Sequence, residues 1–211
     1  MTVEAFAKAV GGALIHITAA SNLPLIQEYG LRPAARLAQL AGIDPHSIIL
    51  RKDRECLSIL DRTATLNHQL PIRHGLNAAR KMLDGYTPEE WAKQLDERVF
   101  FWPKSQGLDF AKSVKADLPI HAFELDAKLF ADLFWADIDL CPINSGNFTQ
   151  GGANAPRGDW IYTPLSDGLE VFRSKRIKRG LKKWRDSIKE ISVKRSIDPQ
   201  TLVHLGGQTT L

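Results

Sequence analysis

The length, composition and charge of the chain exclude several classes of protein. Its 211 residues, 44% hydrophobic and 25% charged, exclude a disordered or collagen-like chain, and they can bury a core without disulfides or a structural metal. No apolar run reaches the ~20 residues that a membrane span needs, and Cys56 and Cys141 lack metal-ligand spacing and fit a reducing cytoplasm. We therefore expect one cytoplasmic domain over residues 1–211, with a formal net charge of +4, no metal and no membrane contact.

Short strands and helices are predicted in turn along the first part of the chain. The alternation of side chains in Ala13–Thr18 predicts a strand. Ser21 or Asn22 can cap the next helix, which should end at Gly30. The further elements predicted here are a helix over Leu31–Gly42 and weak strands over Ser47–Ile49 and Cys56–Leu60.

The clearest helix start in the chain is Thr87–Glu90. It combines a hydroxyl N-cap, a proline at the first helical position and a glutamate three residues after the cap. An aromatic strand over Val99–Trp102 follows and stops at Pro103. The later predicted elements are helices near Leu108–Lys115 and over Asp126–Trp135, with Leu129, Phe130 and Leu133 inward, and strands over Ile120–Leu125, Ile138–Ile143, Trp160–Pro164 and Glu190–Ile197.

This order of elements predicts an α+β fold. The sequence has no long βαβ periodicity and no glycine-rich phosphate loop, which argues against a doubly wound sheet. Asn144–Asp159 is rich in Gly, Asn and Pro, and a loop of that length in a compact domain is usually functional. We therefore expect it to face a substrate.

The positive charge is concentrated in one segment, Arg173–Arg195, which carries a net charge of +9. Apolar residues spaced by four, three and four from Ile177 to Ile188 predict one helix with a basic opposite face. That face could attract nucleic acid or could simply be solvated, and both interpretations stay open. Its candidate nucleic-acid contacts are Lys182, Lys183 and Arg185.

Three of these segments resemble motifs of the ADP-ribosyltransferase fold, which poly(ADP-ribose) polymerases share with DarT-type DNA ADP-ribosyltransferase toxins. Leu14–Thr18, with the helix that ends at Gly30, is similar to the strand that presents a histidine and a hydroxyl residue. Val99–Pro103 is similar to the aromatic strand that stacks on nicotinamide, and Glu190–Val193 to the strand that begins with the catalytic glutamate. The three motifs occur in the family's order.

Two positions depart from the polymerase pattern. Ile17 stands where the polymerases have glycine, which is closer to the DarT-like pattern. Phe100 or Phe101 replaces the stacking tyrosine, so the ring is kept and the hydroxyl is lost. A further resemblance, carried by Thr87–Trp91, Arg98–Trp102 and later Asn144–Gly146 and Arg157–Gly158, is to the uncharacterised bacterial family DUF7002, which implies no activity.

The resemblance implies a split β-sheet core with flanking short helices, and NAD as the co-substrate. Glu190 would stabilise the oxocarbenium-like ribose or deprotonate an acceptor, although it could equally form a surface ion pair. The choice between two arginines for the pyrophosphate stays open, and either could be a solvated surface residue. The residues implied to bind NAD are His16, Ile17, Thr18, Asn22, Arg51, Arg54, Phe100 and Phe101.

The resemblance, together with the basic segment, therefore implies an NAD-dependent ADP-ribosyltransferase that modifies nucleic acid, either DNA or RNA. Such an enzyme could be a bacterial toxin or a phage-defence effector, for which an antitoxin or immunity protein is the expected partner. Two alternatives keep the fold: an NAD glycohydrolase, or an RNA 2′-phosphotransferase-like enzyme. The non-enzymatic alternative is a nucleic-acid-binding module built on Arg173–Arg195, in which His16 and Glu190 are structural.

Overall fold

The computed structural model describes residues 1–74, 82–114, 118–147, 156–181, 187–206 and 208–209, and it confirms an α+β fold. The helices are α1 (Val3–Ala9), α2 (Leu23–Tyr29), α3 (Ala34–Leu40), α4 (Leu70–His74), α5 (Pro88–Asp96), α6 (Lys104–Val114), α7 (Ala127–Phe134), α8 (Gly168–Lys178) and α9 (Pro199–His204). The strands are β1 (Ala13–Ala19), β2 (Glu55–Ile59), β3 (Arg62–Leu66), β4 (Val99–Pro103), β5 (Ile120–Asp126), β6 (Ile138–Cys141), β7 (Thr163–Pro164), β8 (Glu190–Val193) and β9 (Gln208–Thr209). Among the described helices, none is long and apolar enough to cross a membrane.

The main sheet is antiparallel and has the strand order β7–β6–β8–β4–β1–β5–β9. β1 lies near its centre and pairs along its whole length with β5, from Ala13 opposite Asp126 to Ala19 opposite Ile120. β2 and β3 form a separate hairpin. The order brings β8, from the end of the chain, next to β4 and close to β1.

Both faces of the main sheet are covered. The core face carries Leu14 and Phe101, and α1, α7 and α9 pack on it. The opposite face carries Ile15, over which α6 packs so closely that a Cβ on Gly107 would lie 2.4 Å from the Ile15 Cβ. Under the β6–β8 end, a second apolar cluster around Trp91 of α5 covers this opposite face. The candidate site residues therefore lie in two separate packed regions, one on each face of the main sheet.

Local sequence rules account for several element ends. Thr87 and Glu90 form the expected capping box of α5, because the hydroxyl accepts from the Glu90 N–H and the Glu90 carboxylate accepts from the Thr87 N–H. The side chain of Asp126 caps α7. Gly30 ends α2 with a φ of 77°, and a Cβ there would lie 2.0 Å from the carbonyl oxygen of Ile197. A side chain at this position would separate α2 from the segment that follows β8.

Other local predictions are wrong. The expected strand over Ser47–Ile49 is largely a 3₁₀ helix, Pro45–Ile48. Trp160–Pro164 begins in another 3₁₀ helix, and only its last two residues form a strand. On α7 the inward face includes Phe130 as expected, whereas Leu133 is about half exposed. These segments are short, so apolar side chains alone could not distinguish a helical turn from a strand.

The predicted helical stripe from Ile177 to Ile188 is also wrong for the residues that the structure describes. α8 ends at Lys178, and Gly180 follows with a φ of 74°, which breaks the helix. Ile177 is 49% exposed, so it does not face the core. The predicted nucleic-acid contacts Lys182, Lys183 and Arg185 lie outside the described residues.

Candidate active site

The three strands that carry the motif residues are neighbours in the main sheet. β4 lies between β1 and β8, with Ile15 opposite Trp102 and Phe101 opposite Ile191. Glu190 is the first residue of β8. The fold therefore places the histidine strand, the aromatic strand and the glutamate strand side by side, although they are far apart in the sequence.

The side chains of His16 and Glu190 project from opposite faces of this sheet. Residues directly opposed on antiparallel strands share a face, so Phe101 and Ile191 both lie on the core face. His16 joins them there, with its ring centroid 5.5 Å from that of Phe101. Glu190 precedes Ile191 on β8, and Phe100 precedes Phe101 on β4. Because successive side chains of a strand alternate, both project from the opposite face. The structure does not bring the side chains of His16 and Glu190 together.

Glu190 is a buried carboxyl group, only 3% exposed. Its Oε1 accepts a hydrogen bond from the Ser145 hydroxyl at 2.6 Å and another from the Ser145 backbone N–H at 3.3 Å. Burial raises the pKa of Glu190 to about 7, while these hydrogen bonds and the charges of Arg98 and Arg157 lower it. A carboxyl group with this pKa can accept or release a proton at neutral pH.

Arg98 ties together the strands around Glu190. Its guanidinium group pairs with Asp139 of β6 at 2.6 Å and donates to the Ser192 hydroxyl of β8 at 2.9 Å. The same group lies 3.7 Å from the centre of the Tyr162 ring. Arg98 therefore holds β4, β6 and β8 in register and also contributes positive potential at Glu190.

Two other ionisable groups near Glu190 stay protonated at neutral pH. Cys141 lies directly opposite Glu190 on β6, and burial raises the pKa of its thiol well above the usual value. Burial likewise raises the pKa of the Tyr162 hydroxyl. Glu190 is therefore the member of this group that titrates near pH 7. Among the described residues, no group of three His, Cys, Asp or Glu side chains could hold a metal ion.

A short loop after β6, Asn144–Asn147, delivers Ser145 to the carboxylate. The Asn144 side chain closes the loop by accepting two backbone N–H bonds at 3.0 Å. The indole N–H of Trp91 donates to the Ser145 carbonyl at 3.1 Å, and the Arg157 guanidinium donates to the Asn144 carbonyl at 3.1 Å. The loop is thus anchored from both sides, and it fixes the position of Ser145, which donates hydrogen bonds to Glu190.

The structure separates the two candidate phenylalanines. Phe101 is fully buried on the core face against Phe130, with ring centroids 4.9 Å apart. Its side chain has no exposed surface, which favours a core role, and a contact between Phe101 and NAD stays a prediction. Phe100 is half-buried and shares the opposite face with Glu190 and with Ile17. Phe100 is therefore the aromatic candidate that the geometry retains.

His16 is neutral at physiological pH. Its ring is enclosed by Phe101 and Phe123, and burial lowers its pKa to about 4. The Nδ1–H therefore donates to the Phe100 carbonyl at 2.9 Å. This bond leaves Nε2 as an acceptor, so a contact between His16 and a ligand hydroxyl stays a prediction.

Asn22 serves the fold. Its amide oxygen accepts from the Thr65 N–H at 2.6 Å, and its amide nitrogen donates to the Thr65 carbonyl at 3.0 Å and to the Thr18 hydroxyl at 2.9 Å. These bonds attach the chain after β1 to the hairpin strand β3. These bonds engage the Asn22 side chain within the fold, and its contact with NAD stays a prediction. Asn22 is the N-cap residue of α2, as one of the two predicted candidates, but its side chain makes no capping hydrogen bond. Thr18, which is half-buried, stays a candidate for a ligand hydroxyl.

The structure also distinguishes the two candidate arginines. Arg51 is buried and pairs with both carboxylate oxygens of Asp96, at 3.0 and 2.8 Å. Its guanidinium group also donates to the Ile48 carbonyl at 3.1 Å. These bonds engage Arg51 within the fold, and its contact with a pyrophosphate stays a prediction. Arg54 is half-buried, and its Nε makes no hydrogen bond to any described residue, so Arg54 stays the candidate.

Several cations of the basic segment Arg173–Arg195 are engaged within the fold. Arg176 is buried and donates to the carbonyls of Pro142 and Ser187 at 3.2 and 3.1 Å. The pairs with acids are Arg173 with Glu170, Arg179 with Asp84, and Arg195 with Asp137. The positive field of the segment is therefore weaker than its net charge suggests.

Sequence reasoning missed the residues that set the environment of Glu190. Arg98, Ser145 and Arg157 lie in segments that resemble DUF7002, and this resemblance was the one sequence signal for them. No motif pointed to a role for Tyr162 beside the carboxyl group. Of the loop predicted to face a substrate, residues 148–155 lie outside the described residues.

Comparison with known proteins gives a family and no activity. The model of DUF7002, a family of unknown function, matches residues 12–203, which include all three motif strands and Ser145. No curated protein matches the chain. Because the match covers most of its length, the chain belongs to the DUF7002 family.

Proposed function

We propose that the protein is an NAD-dependent ADP-ribosyltransferase with the corresponding split-sheet fold, in which Glu190 is the catalytic carboxylate. The observation that carries the proposal is the placement of this residue. Glu190 is a buried carboxyl group with a pKa of about 7, and it starts a strand beside the aromatic and histidine strands. Catalytic acids and bases are commonly found in such environments.

The proposed reaction breaks the bond between C1′ of the ribose and the nicotinamide nitrogen. The bonding electron pair leaves with nicotinamide, and C1′ acquires oxocarbenium character. Ionised Glu190 would stabilise that cation, and it would take the proton from the acceptor as the acceptor oxygen or nitrogen bonds to C1′. The Ser145 hydroxyl, at 2.6 Å from Oε1, favours the ionised form that both roles need.

In this proposal, the retained candidate residues contact different parts of NAD. Phe100 offers a ring to nicotinamide and the Ile17 backbone offers hydrogen bonds to its carboxamide, on the face that carries Glu190. Arg54 would contact the pyrophosphate. The implied contacts of His16 and Thr18 with ribose hydroxyls stay predictions of the resemblance, because both side chains project from the other face of the sheet. These roles rest on the resemblance together with the exposure that each residue retains.

The proposed acceptor is a nucleic acid, DNA or RNA, as for a bacterial toxin or phage-defence effector. Support for it is the DarT-like Ile17 and the cations of Arg173–Arg195 that precede and follow Glu190. An antitoxin or immunity protein would then be a partner. Protein and water are the other acceptors that the test must separate.

The test is nicotinamide release from NAD, with and without single-stranded DNA and RNA. We expect Glu190→Gln to lower release by about 100-fold or more, because the amide can neither take a proton nor carry the charge. Glu124→Gln is the matched control, since Glu124 is a half-buried strand carboxylate that pairs with Lys104. Thermal melting shows that both variants are folded.

The products decide the acceptor class. ADP-ribose attached to an oligonucleotide supports transfer to nucleic acid, whereas free ADP-ribose alone indicates NAD hydrolysis. Equal release by wild type and Glu190→Gln contradicts the proposal. So does an absence of release from folded protein in every mixture, which would favour the nucleic-acid-binding alternative.

A further inference from the structure

A second site candidate lies at the other end of β8, away from Glu190. A groove of about 680 Å³ opens between α3, the 3₁₀ helix that follows it, the end of α5 and the segment Lys194–Ser196. A strand rises roughly 3.3 Å per residue, so Lys194 lies about 13 Å along the chain from Glu190. The groove volume falls within the range of sites for small ligands.

Positive charge dominates the walls of this groove. Four permanent cations line it, from three separate elements: Arg36, Lys93, Lys194 and Arg195. The acids that also line it are Asp96 and Glu97. Asp96 is paired with buried Arg51, and Arg195 is paired with Asp137 at 2.8 Å. Among the described lining residues, the cations Arg36, Lys93 and Lys194 then stand against Glu97. The remaining field therefore favours an anion.

Two details indicate what kind of anion fits. The Arg36 guanidinium is held by the Gln39 side chain at 2.8 Å, which orients a planar group suited to phosphate. The wall also includes the apolar residues Pro33, Pro45 and Ile49. A lining that combines cations with apolar side chains matches a phosphate ester that also carries a ring.

We propose that this groove binds a phosphate-bearing ligand of nucleotide size, through Arg36, Lys93 and Lys194, with Pro33, Pro45 and Ile49 against its ring. The site is separate from Glu190 and does not depend on the proposed transferase activity. The same phosphate chemistry could come from a free nucleotide or from a nucleotide within a strand, and the experiment distinguishes these sources.

The experiment is calorimetric titration of the full chain at low salt with ADP, adenosine, inorganic pyrophosphate and a six-residue oligothymidylate. We expect ADP to bind, adenosine to bind at least tenfold more weakly, and the affinity for ADP to fall with added salt. Lys93→Glu/Lys194→Glu should weaken ADP binding by on the order of tenfold or more. The control Lys8→Glu/Lys112→Glu, with the same charge change at exposed lysines outside the groove, should leave it unchanged.

Each outcome of the titrations either supports or overturns the proposed binding in the groove. Tighter binding of the oligonucleotide, lost in the same groove variant, supports the site and identifies a strand as the source of the phosphates. Equal losses in the groove and control variants indicate non-specific charge and overturn the proposal. Absence of binding to every phosphate compound at millimolar concentration also overturns it. Titrating Arg54→Ala in parallel separates this site from the proposed NAD site, because Arg54 lies outside the groove lining and groove binding should persist there.

Discussion

At the residue scale, two opposing effects set the pKa of Glu190, its burial and its hydrogen bonds from Ser145. A carboxyl group removed from water favours its neutral form, whereas a hydroxyl donor at 2.6 Å favours the carboxylate. Burial is the larger effect, so the pKa moves from 4.5 to about 7. The folded protein therefore holds a proton on Glu190 at pH values where the unfolded chain has released it.

This difference predicts a pH dependence of stability. The folded-state pKa is raised, so the contribution is fully present below about pH 4.5 and is lost as the pH rises through 7. Relative to Glu190→Gln, we expect wild type to lose up to about 3 kcal/mol of unfolding free energy across this range. Urea denaturation of both proteins from pH 4 to 9 measures it.

Ser145→Ala provides the matched variant for that experiment. The substitution removes a donor that stabilises the ionised form, so the folded-state pKa should rise further. The loss of stability should then begin at the same pH, continue to higher pH and become larger. If the difference between wild type and Glu190→Gln is independent of pH, Glu190 does not titrate as described. If Ser145→Ala moves the transition to lower pH, the hydroxyl does not support the carboxylate.

At the element scale, the Arg51–Asp96 pair joins the segment before the hairpin to the last residue of α5. Both side chains are buried, and the carboxylate receives two bonds from one guanidinium nitrogen. Burial raises the pKa of Asp96 even though Arg51 lowers it, so the pair depends on both partners being present. The contact orients α5, and therefore the Trp91 that anchors the Ser145 loop.

Breaking this pair should be costly. We expect Arg51→Met or Asp96→Asn alone to reduce the free energy of unfolding by roughly 3–5 kcal/mol, because each leaves a buried group without its partner. The double variant should cost less than the sum of the two single variants. Chemical denaturation of the four proteins gives the coupling energy.

The exposed pair of Arg62 and Glu28, at 3.1 Å, is the control for that cycle. Solvent screens both side chains, so its coupling energy should be below about 1 kcal/mol. Similar coupling energies for the two pairs would show that burial does not strengthen the Arg51–Asp96 contact.

Sequence patterns correctly predicted the elements that depend on interactions between neighbouring residues. The capping box at Thr87 and the alternation in Ala13–Thr18 are confirmed, because a cap and a two-residue period are properties of neighbouring residues. α1 and β3 were not predicted. Within the described residues, the stripe predicted from Ile177 onward is interrupted because Gly180 ends the helix, and the spacing alone carried no information about that break.

At the scale of the whole molecule, the environment of the site depends on strand pairing. The resemblance identified the strands that become neighbours, yet Phe100 and Phe101 could not be distinguished before the register of β4 was known. Register also decides that Glu190 faces Ser145 and not His16. Such contacts join distant parts of the chain, so they follow from tertiary packing and not from local sequence.

The same pairing predicts how the two cysteines react. Both thiols are free; Cys56 is exposed on β2, and Cys141 is fully buried between β7 and β8 in the main sheet. A thiol reagent should modify Cys56 quickly in the native protein and Cys141 only when the main sheet opens. Cys141 labelling should therefore slow as global stability increases, and Cys56→Ser should abolish the fast phase. Two fast thiols in native wild-type protein would contradict the buried position of β6 and, with it, the enclosed environment of Glu190.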